Sequence, residues 1–215
     1  MIKAIFYDFD GVIKESTDIK SKAFYDLYIE FGEAIAKQVE HYHIEHGGVS
    51  RFEKIRYWHK THLNIEISDN ELELWAQKFS DLVLKKVVES PYVNGALNTI
   101  TNLSKIYKQY IITGTPQNEI EKICNDLEIS HLFEKICGSP TNKIKWCNQL
   151  MPEIGLSNKE IVFIGDATTD YDAASYHNLY FILREHKENE LLFADKSVIK
   201  IKDLLSLESV IKKIN

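Results

Sequence analysis

Four short polar clusters in this chain carry residue types capable of chemistry, and each follows an apolar run. The first is Asp8-Phe-Asp-Gly11, after Ile2-Lys-Ala-Ile-Phe-Tyr7. Asp8 and Asp10 are two apart, so on an extended chain they point the same way. Gly11 then allows a sharp backbone turn behind them. Further on come Thr113-Gly114-Thr-Pro after Tyr110-Ile-Ile112, Ser139-Pro-Thr-Asn-Lys143 after Phe133–Cys137, and Gly165-Asp-Ala-Thr-Thr-Asp170 after Ile161-Val-Phe-Ile164. If the apolar runs are parallel strands, their carboxyl ends share one edge of a sheet, where open α/β sheets bind ligands.

Brought together, these clusters amount to four carboxylates, a hydroxyl and a lysine. Two carboxylates about 4 Å apart repel by roughly 4 kcal/mol at an effective dielectric of 20. One lysine does not offset four such charges. A hard divalent cation with oxygen ligands does, and Mg2+ typically takes one or two carboxylates together with phosphate and water. The residue types alone therefore point to a Mg2+–phosphate site.

The elements that must position these clusters are legible as periodicity. Residues 2–7 read as a strand buried on both faces. From about Thr17 to Glu89 the pattern is helical, with no strand signal. Ile19, Phe24, Leu27, Tyr28 and Phe31 form one stripe, with an interruption at Gly32 after which Ala34 to His46 resumes the same pattern. Gly47-Gly48 ends it by the left-handed route glycine provides. Ser50 is a candidate N-cap with Glu53 as its capping-box partner. A further helix starts near Ser68 or Asp69 and carries Leu72, Trp75, Phe79, Leu82 and Val83. After Pro91-Tyr-Val-Asn-Gly95, strands and helices alternate: helix 96–103, strand 110–112, helix 118–127, strand 133–137, helix 143–151, strand 161–164, helix 171–177, strand 180–183 and helix 204–214. Such alternation means a parallel sheet with helices on both faces. The expected fold is α/β, a Rossmann-like doubly wound parallel core (residues 1–15 and 91–215) with an inserted all-helical cap (residues 16–90).

Taken in this order, Asp8-Phe-Asp-Gly-Val, Ile112-Thr113, Lys143 and Gly165-Asp-Ala-Thr-Thr-Asp170 resemble the four motifs of the haloacid dehalogenase superfamily, and the helical insert resembles its C1-type cap. The resemblance covers essentially the whole chain. It implies that Asp8 is a nucleophile forming an aspartyl-phosphate. It also implies that Asp10 is the general acid and then base, with its carbonyl on Mg2+. Asp166 would be a direct Mg2+ ligand and Asp170 an outer-sphere partner, through water or Lys143. Thr113, with Gly114 beside it, would bind a phosphoryl oxygen, and Lys143 would neutralise charge. Lys143 is preferred to Lys145 because it stands at the helix entrance after Ser139-Pro-Thr-Asn. One departure is Glu15, where the family's DGxxxDS has Asp.

The cap segment Gly48-Val-Ser-Arg51 is similar to that of beta-phosphoglucomutases, where the arginine contacts a substrate phosphate. Arg51 is thus the first choice for substrate binding, since guanidinium suits bidentate anion recognition. Lys54 and Arg56 are weaker choices. His41, His43, His46, His59 and His62 have no metal-site spacing. The expected activity is a Mg2+-dependent phosphatase on a small phosphorylated metabolite of sugar phosphate or phosphoglycolate type. The alternative is a beta-phosphoglucomutase-like mutase. Against the mutase, Lys20 stands where those enzymes have a cap-hinge histidine, and Gly165-Asp-x-x-x-Asp170 is the phosphatase-like form. Hydrolytic dehalogenation is disfavoured by Asp10, and a purely binding role by the presence of Asp8, Lys143 and Asp166.

Composition agrees. The 215 residues are 44% hydrophobic, enough for a real core. A net charge of −6 and a pI near 5.8 argue against nucleic acid as partner. Cys124, Cys137 and Cys147 lack CxxC spacing, so neither a disulfide framework nor a zinc site is expected. The opening residues carry no signal-peptide pattern and no apolar run spans a bilayer, so a cytoplasmic monomer or homodimer without membrane contact is expected.

Overall fold

A computed structural model describes residues 1–214. Six strands form one parallel sheet: β1 (Ala4–Tyr7), β2 (Lys108–Pro116), β3 (Lys135–Ser139), β4 (Ile161–Gly165), β5 (Tyr180–Arg184) and β6 (Ile199–Ile201). Their spatial order is β3-β2-β1-β4-β5-β6. The chain thus reverses its winding between β1 and β4, the point where doubly wound sheets open a crevice. Both strands are completely buried. Their side chains alternate between two cores: Ile5, Tyr7, Val162 and Ile164 face one way, Ala4, Phe6, Ile161 and Phe163 the other. On the first face lie α5 (Ala96–Leu103), α6 (Gln117–Asp126) and α9 (Leu207–Ile214); on the second lie α7 (Lys143–Ile154) and α8 (Thr168–Tyr176).

Between β1 and α5 the chain is helical: α1 (Thr17–Tyr28), α2 (Glu33–Glu45), α3 (Arg51–Trp58) and α4 (Asp69–Glu89). Phe24 stacks on Phe79 with ring centroids 3.9 Å apart, and the edge of Trp58 meets Phe24 at 4.8 Å. This aromatic cluster gives the insert a packed interior. The chain leaves the sheet and returns to it side by side. Glu15 N donates to Pro91 O at 3.0 Å, Val93 N donates to Ile13 O at 3.0 Å, and Glu15 forms a bidentate pair with Arg184. The Glu15 carboxylate therefore braces this crossing point.

Several local expectations need correction. Thr113-Gly-Thr-Pro116 is not a loop but the bulged continuation of β2, which regains register at Pro116↔Ser139. Helix α8 starts at Thr168 rather than Tyr171, because Asp170 sits in its first turn and accepts from Ala167 N at 3.0 Å. The closing helix begins at Leu207, and β6 was not anticipated in its short run of three residues. Ser50 caps α3 through Phe52 N, and Glu53 makes no return bond; the capping box occurs instead at Ser68/Glu71. A π-turn at His59–Leu63 ends in the left-handed Asn64. Among the described residues no helix is long and apolar enough to cross a membrane.

Candidate active site

Asp8 leaves β1 buried, its backbone N bonded to Ile164 O at 2.9 Å on the neighbouring strand. Its Oδ1 accepts from Phe9 N at 2.7 Å and its Oδ2 from Lys143 Nζ at 2.6 Å. Lys143, the first residue of α7, also donates to Asp170 Oδ1 at 2.5 Å. One ammonium thus lies between two buried carboxylates. Lys145 points outward, so the helix entrance delivers the lysine the sequence favoured. Asn142 fixes that entrance by accepting from Lys145 N at 2.9 Å.

Asp166 follows β4 and faces the same crevice. His186 Nε2 lies 3.0 Å from its Oδ2, and Asn189 Nδ2 donates to its carbonyl at 2.8 Å. Gly11 stands against this carboxylate. A Cβ there would fall 2.1 Å from Asp166 Oδ2, and its φ of +75° is itself a glycine conformation. The turn after Asp10 is therefore tight because Asp166 occupies the space a side chain would need.

Oxygen atoms of Asp8, Asp166 and Asp170 come within 4.8 Å of one another. The donor set is all carboxylate, which suits a hard cation such as Mg2+. Electrostatics agree. Burial pushes the Asp8 carboxyl above its ordinary range; Lys143 opposes the shift, while Asp166 and Asp10 add to it. Burial and then the Asp8 charge push Asp170 well above its ordinary value. Burial would pull the Lys143 ammonium down, but Asp170 and Asp8 together hold it above its usual range. Three crowded acids served by one ammonium retain a charge deficit that a divalent cation relieves.

Asp10 has a separate environment. Ser16 Oγ donates to its Oδ1 at 2.6 Å, Thr115 Oγ1 to its Oδ2 at 3.1 Å, and Lys20 forms a short ion pair with Oδ2. Lys20 Nζ also donates to Thr115 Oγ1 at 2.7 Å. Burial alone would raise Asp10; Lys20, then the hydroxyls of Ser16 and Thr115, reverse this and hold the carboxyl below its ordinary value. The two carboxylates of the first cluster are thus tuned apart.

Thr113 is buried in the bulged part of β2, and with Gly114 it lines the chamber between sheet edge and insert. The insert closes tightly here. Gly48 O lies so near Gly114 that a Cβ on the latter would meet it at 2.5 Å, and Thr169 Oγ1 donates to Gly47 O at 3.0 Å. Arg51 reaches the chamber wall, yet its guanidinium donates twice to Glu119, from Nη1 and Nη2 at 2.7 Å each, and to Ser80 Oγ at 2.6 Å. Lys54 is buried against His43 Nδ1 at 2.8 Å, whereas Arg56 pairs with Asp69 at the surface. Of the other histidines, His59 bonds Tyr28 and Ile55 O, His46 stacks on Tyr42, and His41 pairs with Glu45. His62 lies edge-on to Tyr57.

In the sequence Lys20 stands only as a departure from the mutase pattern, and Thr115, Glu119, His186 and Asn189 belong to none of the motifs. A signal existed for the cations. Lys20 lies three, four and seven residues before Ala23, Phe24 and Leu27, the buried face of α1. Arg51 and Lys54 likewise share the face of Ile55 and Trp58. A cation on an apolar stripe faces inward, and an inward cation needs an anion.

The sequence matches the haloacid dehalogenase-like hydrolase family over residues 5–183. No curated protein matches the chain. Among solved structures, a beta-phosphoglucomutase from Clostridium difficile is similar with a TM-score of 0.80 at 20% identity, covering 100% of this chain and 98% of that one. A protein described as a predicted phosphoglycolate phosphatase from Haemophilus somnus has a TM-score of 0.74 at 18% identity, covering 98% of each chain. A HAD-hydrolase from Bacillus subtilis, bound to magnesium, has a TM-score of 0.71 at 18% identity, covering 98% of this chain and 99% of that one.

Proposed function

Because the chain belongs to the haloacid dehalogenase-like hydrolases, we propose that it is a Mg2+-dependent phosphatase acting on a small phosphorylated metabolite, a sugar phosphate or a phosphoglycolate-like ester. The observation that carries this reading is the Asp8–Lys143–Asp170 bridge beside Asp166, with Asp10 held apart by Ser16, Lys20 and Thr115. A nucleophile, a charge clamp and a separate proton carrier all meet at one sheet edge.

In this reading an Asp8 carboxylate oxygen attacks phosphorus and the bond to the alcohol oxygen breaks. Asp10 gives the leaving oxygen its proton. Water then attacks the phosphorylated Asp8, passes a proton to Asp10, and phosphate leaves with Asp8 restored. The bonds that hold Asp10 as an anion suit the second half, in which it is the base. Lys143 neutralises charge on Asp8 and the phosphoryl oxygens, oriented by Asp170. The Thr113 hydroxyl and Gly114 N–H serve as phosphoryl donors. Asp8, the Asp10 carbonyl and Asp166 would hold Mg2+, with Asp170 behind them; bound there, the ion supplies further charge neutralisation for the phosphoryl group. The helical insert acts as a cap that excludes water from the chamber.

Phosphate release across a panel of phosphometabolites, with Asp8→Asn as blank, tests this. Turnover that disappears with chelator and in the variant is expected. A Mg2+-loaded wild type that hydrolyses no phosphate ester would sink the reading.

A further inference from the structure

The cap side of the chamber is built from aromatic rings and cations, and each cation already has a protein partner. Lys20 binds Asp10 and Thr115, Lys54 binds His43, and Arg51 binds Glu119 and Ser80. The Arg51 pair is the most complete of these. Two parallel N–H bonds to one carboxylate form the fork that guanidinium otherwise offers an anionic ligand. Its face is covered too, since the guanidinium carbon lies 4.6 Å above the Phe79 ring. Arg51 comes from α3 of the cap and Glu119 from α6 of the sheet domain, so the pair also ties the two together. The wall left for the alcohol part of a substrate is Phe24, Phe79, Val49 and His43.

We propose that Glu119 occupies the anion-binding fork of Arg51 and thereby makes this chain selective for phosphate monoesters of small, uncharged alcohols. A second anionic group on the substrate would find the Arg51 fork filled by Glu119 and Lys20 held by Asp10, while Lys54, bonded to His43, does not line the chamber. Like charges juxtaposed in a partly dry site discriminate strongly. The selectivity is therefore repulsive as well as attractive: Phe24, Phe79 and Val49 present an apolar wall, and Glu119 rejects a carboxylate or a second phosphate. This rests on the phosphatase reading and narrows its substrate class. It sets both phosphoglycolate and the bisphosphates of a mutase cycle outside that class.

The test uses a matched pair, 2-hydroxyethyl phosphate and phosphoglycolate, which differ in the carboxylate. The wild type should prefer the neutral ester by about ten-fold or more in kcat/KM. Glu119→Gln, which keeps one hydrogen bond to Arg51 but frees its charge, should lower KM for phosphoglycolate about five-fold. The change should lie in KM rather than kcat, which a merely structural role would not produce. Titrating both esters calorimetrically into Asp8→Asn with Mg2+ reads the same preference without chemistry. A wild type that turns over neither ester, yet binds the neutral one more tightly as Asp8→Asn, would fail the hydrolase reading alone. Equal or better use of phosphoglycolate by the wild type overturns the proposal. So does an Arg51→Lys variant whose KM rises for phosphoglycolate only, because Arg51 would then be the carboxylate's receptor.

Discussion

Replacing Gly114 by alanine asks whether the cap works in the closed position. Its new Cβ would lie 2.5 Å from Gly48 O and 3.0 Å from Gly48 C, both backbone atoms of the cap turn. Ordinary contact begins at 3.4 Å, so the turn must retreat by 3.4 − 2.5, or about 0.9 Å. The Gly114 φ lies outside the glycine-only region, so the substitution reports the contact and not backbone strain. The backbone N–H at this position remains available to a phosphoryl oxygen in the variant. Overpacking of this kind costs about 1–3 kcal/mol, and a withdrawing cap relieves most of it without unfolding. A misplacement of roughly 1 Å near the reacting atoms costs on the order of 10²-fold in rate. The expected result is therefore a kcat/KM near one-hundredth of wild type with a melting temperature lowered only slightly. Gly155→Ala is the control. It sits at φ +66° with nothing within 4 Å, so it should cost about 1 kcal/mol of stability and leave turnover intact. Steady-state kinetics and thermal unfolding on both variants decide the matter. Gly114→Ala activity within about three-fold of wild type would refute a closed working cap.

Other expectations concern charge. Lys143→Met removes the ammonium between two buried carboxylates, and urea unfolding should show a loss of about 3–5 kcal/mol; less than about 1 kcal/mol would mean the bridge is not maintained in solution. Added Mg2+ should raise the melting temperature of the wild type and do so much less in Asp166→Asn, because ligand binding stabilises only where the site is intact. Glu188 is half-buried and, through burial and then the neighbouring Asp18, is pushed up to about 7 from 4.5. Below pH 4.5 folded and unfolded chains both carry it protonated. Between pH 4.5 and about 7 only the unfolded chain ionises, so this group's contribution falls as pH rises, and the penalty is complete above about 7. A fully buried carboxyl so shifted would lose about 3 kcal/mol, which solvent screening reduces to about 1 kcal/mol here. Glu188→Gln should therefore stabilise the protein at pH 8 and not at pH 4.

The sheet and its polar edge were legible in the sequence because local patterns encode them. A buried strand needs an unbroken apolar run, and Ile161-Val-Phe-Ile164 can be little else. Once β1 and β4 are adjacent, Asp8 and Asp166 must converge. A helix entrance limits which side chain can turn toward the sheet, and Lys143 at that entrance does reach Asp8. Non-local partners were less accessible. Glu119 on α6 carries no sequence mark that it meets Arg51, 68 residues earlier, because only docking of the insert brings them together. Thr115 was hidden by its Gly-Pro neighbours, which resemble a loop but here form a bulged strand. Lys20 did show its inward face through its spacing from Phe24, although its anion lay on a different element.

The central claim is that Asp8 becomes phosphorylated. Acid quench of the Mg2+-loaded enzyme during turnover of a good ester, followed by peptide mass analysis, measures this directly. One phosphoryl group on the peptide carrying Asp8, absent from Asp8→Asn, is the predicted result. Phosphate release by Asp8→Asn at the wild-type rate, or a phosphoryl group found on a different residue, would contradict it.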